Sequence, residues 1–211
     1  MKKGEEKLNR TFNSMYDGLS TQYEFCKTYP FKLKDREMTD AIINRMIAFI
    51  GYHDNIKKLF EKKQRQAASD FFVESTLFFA KVYLESHFKG VKVKSEIAIG
   101  AGSDGKAVRP DITIWKNDKL LGVIEMKVQL GRIRNSWREH LLEREGIVKE
   151  IDKQALFFVL CYSERNWKPG FDRKSKNFNT KYFSLIDMHD SRTKCKLETI
   201  LIALKAKIDG K

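Results

Sequence analysis

The strongest constraint on the fold is a change of hydrophobic period at Gly90. Before it, Phe71, Phe72, Val73, Leu77, Phe78, Phe79, Val82, Tyr83 and Leu84 recur at helical spacing between Ser69 and about Phe88. After it, Val91-Lys92-Val93-Lys94 alternates with period two. An apolar helix running straight into strands has to pack against the sheet they form, which predicts a layered α/β or α+β domain. Strands are expected over 91–99, 109–115 and 120–128, with Gly100 to Gly105 a loop and Lys116-Asn117-Asp118-Lys119 a hairpin turn. An amphipathic helix from about Ser136 to Lys153, a buried strand (Leu156–Tyr162), a last strand (Tyr182–Ile186) and a closing helix (Lys194–Ile208) complete the order.

Upstream, residues 1–66 read as a helical N-terminal extension to a core domain spanning 67–211. Tyr29-Pro30-Phe31 breaks the extension, and a second helix runs from Met38 to Glu61. Thr39 or Asp40 is expected to cap that helix, and Ser69 or Asp70 the apolar one.

Several classes are disfavoured. No apolar run approaches the roughly 18–20 residues of a membrane span. The charged start, Met1-Lys2-Lys3-Gly4-Glu5-Glu6-Lys7, has no signal-peptide core behind it, so a cytoplasmic location is expected. Cys26, Cys161 and Cys195 are dispersed and odd in number, against a disulfide framework or a zinc site. His189, within Asp187-Met188-His189-Asp190, reads as part of a polar turn rather than a metal ligand. The 41 basic against 28 acidic residues leave +13, a surplus that suits a polyanionic partner. A generally basic protein would look the same by this measure alone.

The chemistry sits in the second and third strands. Asp111 is followed by Ile112 and Ile114, and Glu125 and Lys127 interrupt the apolar run from Leu120 to Val128. Ionised groups in apolar strands cost free energy unless something compensates. A three-residue turn, Asn117 to Lys119, would pair Lys116 with Leu120, set Asp111 opposite Glu125 and put Lys127 on the same face. A two-residue turn at Asn117-Asp118 would part the carboxylates unless a bulge shifted the register. Two opposed carboxylates call for a cation between them, and hard oxygen ligands suit Mg²⁺ or Mn²⁺. Beside such a metal, Lys127 would orient a water or stabilise charge on a phosphorane, pointing to phosphodiester hydrolysis. The alternative is a surface hairpin with a cross-strand charge cluster.

Pro110-Asp111, thirteen residues, then Glu125-Met126-Lys127 resembles the signature of the PD-(D/E)xK nucleases, and the order of elements over about 69–163 is similar to their αβββαβ core. The resemblance covers roughly half the chain. It implies a restriction-endonuclease-like fold with a central mixed sheet flanked by helices. It also implies that Asp111, Glu125 and the Met126 carbonyl hold the metal and that Lys127 serves the water. The activity it implies is Mg²⁺-dependent cleavage of DNA by an endodeoxyribonuclease, with a type II restriction enzyme as one form and a repair or end-processing nuclease as another. A DNA-binding module without turnover is the reading from a different class.

Some members of this fold add an acid from the first core helix, and Glu74 is the best match. Gln154 resembles a glutamine of exonuclease-like members, but Phe158 stands where their tyrosine would be. For DNA contact the basic residues are Arg132, Arg134 and Arg138, then Lys168, Arg173, Lys174 and Lys176, the latter group interleaved with Trp167, Phe171 and Phe178. Cutting both strands of a duplex with one site per chain favours a homodimer.

Overall fold

A computed structural model describes residues 3–128, 137–164, 176–177, 180–186 and 195–210. In chain order the elements are α1 (Lys3–Thr28), α2 (Glu37–Leu59), α3 (Ser69–His87), β1 (Val91–Ser95), β2 (Gly100–Ala101) and β3 (Ala107–Val108). Then follow β4 (Ile112–Lys116), β5 (Lys119–Lys127), α4 (Trp137–Ile151), β6 (Leu156–Ser163), β7 (Tyr182–Ile186) and α5 (Leu197–Ile208). The main sheet runs β1-β4-β5-β6-β7, antiparallel from β1 to β5 and parallel from β5 to β7. This is a mixed α+β architecture. Among the described residues no helix is long and apolar enough to cross a membrane.

One face of the sheet carries Ile112, Ile114, Ile124, Met126, Phe158 and Leu160 against α2, α3 and α5. The other carries Val123, Phe157, Val159 and Cys161 against Leu141 and Val148 of α4. Both faces of β5 are therefore covered, which is why its sequence is an apolar run rather than an alternation. α2 adds Met38, Ile42 and Met46 to the same core as α3, and α1 docks on α3 through Tyr23 on Phe78.

The turn between β4 and β5 differs from expectation. It has two residues, with Lys116 paired to Lys119 and Trp115 to Leu120. Asn117 (φ 48°) and Asp118 (φ 65°) both adopt the left-handed conformation that such a tight hairpin needs. One step on, Ile114 pairs with Gly122, so Leu121 is an extra residue. This bulge restores the parity that the short turn would have lost. The pairing of Ile112 with Ile124, carried one residue further, sets Asp111 across from Glu125. Gly122 is needed here, since a Cβ at that position would lie 2.9 Å from Leu204 Cδ2 and 3.2 Å from the Leu156 carbonyl.

Other expectations are corrected as well. The first strand stops at Ser95, because Glu96 turns to φ 56°, and the glycine loop closes a second, two-stranded sheet from β2 and β3. No local side chain caps α2 or α3; Ser69 Oγ instead meets Asp70 Oδ1. The first turn of α2 is satisfied from α5. Glu198, fully buried, accepts from Thr39 N (2.9 Å) and Thr39 Oγ1 (2.5 Å), while Thr39 Oγ1 accepts from Lys196 N and Leu197 N at 3.2 Å each. Each helix thus caps the other, with the Glu198 charge favourably placed at two helix N-termini.

Burial pushes the Cys161 thiol up to about 12, so it stays protonated in neutral buffer. Treatment of the native chain with iodoacetamide at pH 8 is expected to modify Cys195 first and Cys161 only on global unfolding. Equal native labelling of the two, read by mass spectrometry, would contradict this packing. The buried thiol stabilises the fold below about pH 9. Above that the unfolded chain sheds its proton first, and the contribution is lost as pH climbs toward 12.

Candidate active site

Asp111 stands just before β4 and is fixed by its neighbours. Ser95 Oγ donates to its carbonyl at 2.7 Å, and Glu96 N donates to the carbonyl of Pro110 at 3.1 Å. Its carboxylate reaches β5, where Oδ2 accepts from the Met126 amide at 2.6 Å. That amide lies beyond the last ladder pair with β4, so the side chain takes the place of a strand partner. In a strand the carbonyl of a residue faces the same edge as its N–H, so the Met126 carbonyl is turned toward Asp111. The Met126 side chain is buried in the apolar core on the opposite face from Glu125.

Lys127 Nζ sits between the two carboxylates, 3.5 Å from Asp111 Oδ2 and 3.4 Å from Glu125 Oε2. The Glu125 side chain is 1% exposed, the Lys127 side chain 18% and the Asp111 side chain 26%. Asp111 and Lys127 open onto a cleft of about 700 Å³ that Asp70, Glu74 and Glu96 also line. Glu74 is exposed on α3 and faces this cleft, so the structure brings it to the same opening as Asp111.

Sequence reasoning missed two residues of α4. Arg144 Nη1 lies 2.5 Å from Glu125 Oε1, an ion pair that compensates the burial of that carboxylate. His140, one turn earlier, is pulled below its ordinary value by partial burial and by the Arg144 guanidinium, with Glu125 opposing. Their spacing of four on an amphipathic helix was the available signal. Both residues line a second cleft of about 360 Å³ beside the turn between β2 and β3. There Glu143 Oε1 accepts from Ser103 N and Oγ, which draws its carboxyl below the usual range.

Gln154 does not join the site. It lies beyond the end of α4, accepts from Lys207 Nζ at 2.9 Å, and lines a cleft with Lys116 and Asn117 at the other end of the β4–β5 hairpin. Arg138 and Lys176 are exposed. Arg132, Arg134, Lys168, Arg173 and Lys174, with Trp167, Phe171, Phe178 and His189, lie outside the described residues.

The residues present suit a hard dication. Two carboxylates on one sheet face, with a backbone carbonyl turned to the same edge, supply oxygen donors alone, and Asp111 opens to solvent. Among the described residues no three acidic, histidine or cysteine side chains cluster as a ready-made cage. Mg²⁺ is commonly held by one or two carboxylates plus water and substrate phosphate, so a two-carboxylate set fits it. The chain matches no protein-family model and no curated protein.

Proposed function

We propose that the chain is a Mg²⁺-dependent endodeoxyribonuclease of the PD-(D/E)xK kind, with a type II restriction enzyme as its most specific form. One observation carries this reading: Asp111 and Glu125 face each other across β4 and β5 with the Lys127 ammonium within 3.5 Å of both. A surface hairpin would leave such a cluster in solvent; here Glu125 is wholly buried and held between two cations, Arg144 and Lys127, beside a cleft, an arrangement common at functional sites.

In this proposal Asp111, Glu125 and the Met126 carbonyl would hold the metal, which would supply an activated water and charge neutralisation on the phosphate. Lys127 Nζ would orient a water and offset charge growing on the phosphate oxygens. Glu74, which lines the same cleft, would hold a further water. The Met126 amide fixes one oxygen of Asp111 and would leave the other to the cation. The +13 surplus favours a nucleic acid over a small phosphodiester, and two copies acting together would cut both strands. A second reading, a DNA-binding module without turnover, is favoured by Arg144, which already neutralises Glu125.

Supercoiled plasmid with Mg²⁺ or Mn²⁺ tests the two. Nicking or linearisation that EDTA stops, and that Asp111→Ala slows more than about a hundredfold, is the expected result. Discrete fragments would favour restriction, and a smear would favour repair or end processing. Binding without cleavage of any duplex, flap or single strand would establish the second reading.

A further inference from the structure

Arg144 is a charged side chain that phosphodiester hydrolysis by Asp111, Glu125 and Lys127 does not itself require. It reaches the site from α4, an element separate from the hairpin, and takes Glu125 Oε1 at 2.5 Å while Lys127 stands 3.4 Å from Oε2. At the two proposed ligands, Asp111 and Glu125, the cations Lys127 and Arg144 are already in place before any metal arrives, while Asp70, Glu74 and Glu96 line the cleft alongside or nearby. A dication at Asp111 and Glu125 is repelled by both cations at close range, which opposes its binding. A phosphodiester brings the missing negative charge.

We propose that Arg144 is a positioning residue that steadies Glu125 through one oxygen and keeps the affinity for a free divalent cation low, so that cation and nucleic-acid phosphate bind as a coupled pair. This rests on the nuclease reading above. The hold is made through Nη1, and Arg144 Nε is buried with no hydrogen-bond partner. The guanidinium also borders the cleft beside the β2–β3 turn. Coupling of this kind is reciprocal: the factor by which nucleic acid tightens the cation is the factor by which the cation tightens nucleic acid.

The test uses the full chain and Mn²⁺ alone, with free ion followed by electron paramagnetic resonance. Arg144→Gln is expected to bind Mn²⁺ about tenfold more tightly than wild type without nucleic acid, and Arg144→Lys to stay near wild type. Equal or weaker binding by a folded Arg144→Gln overturns the proposal. Adding Asp111→Ala to Arg144→Gln is expected to remove the gain. A gain that survives places the ion elsewhere and sinks the nuclease reading instead. Should Arg144→Gln not fold, the wild type decides: a phosphorothioate duplex, resistant to cleavage, is expected to tighten Mn²⁺ about tenfold. An unchanged affinity overturns the coupling.

Discussion

Replacing Lys127 by methionine is expected to slow metal-dependent cleavage about a thousandfold while leaving the fold intact. The ammonium is the group nearest to both carboxylates on the open side of the site, and its 18% exposure allows it to meet a water at the cleft. A donor aimed at developing charge in a partly dry site contributes far more to rate than to stability. Each carboxylate keeps a second partner without it, Arg144 for Glu125 and the Met126 amide for Asp111, so the stability cost should stay within about 2 kcal/mol. Lys127→Arg keeps the charge but spreads it over a planar fork, and partial activity is expected. Single-turnover rates at saturating Mn²⁺, beside urea melts, check both statements. A rate within fivefold of wild type would remove Lys127 from the chemistry.

Glu198→Ala is expected to cost about 3–5 kcal/mol, a large share of the stability of a domain this size. The loss is two buried, charge-assisted hydrogen bonds to Thr39 together with the caps they make. Thr39→Val removes the hydroxyl donor to Glu198 Oε2 and strands the Lys196 and Leu197 amides as well. Because the two residues act as one unit, the double variant should cost less than the sum of the singles. Urea denaturation with the slope held common measures this. A single-variant cost below about 1 kcal/mol would mean that the reciprocal caps are not what joins α2 to α5.

Much of the sheet was legible because β5 and β6 are apolar runs of strand length and because α3 ends against Gly90, where the period changes. The opposition of Asp111 and Glu125 was legible too, but by a route the sequence hides. Asn117 and Asp118 accept positive φ and so make a two-residue turn, and Leu121 then bulges out to recover the register. In a strand buried on both faces, Leu120-Leu121-Gly122 has no alternation to break, so nothing in its pattern marks an extra residue; Gly122 was the one clue. The β2–β3 ribbon has two residues per strand, too short to show a period. Arg144 carried only a weak signal, its spacing of four from His140, because an arginine on an amphipathic helix looks like any solvated residue until α4 is laid across β5. Thr39 looked like the cap of its own helix and is in fact the cap of another, a partnership that no local window contains.

That last partnership bears on when the protein can fold. Thr39 and Glu198 are 159 positions apart, and no local side chain satisfies the first turn of either helix. On a ribosome adding about 5–20 residues per second, α2 waits roughly ten to thirty seconds for the segment that completes it. For that interval Met38, Ile42 and Met46 have no α5 to pack against. The nascent chain then presents the surface on which chaperones act and on which neighbouring copies aggregate.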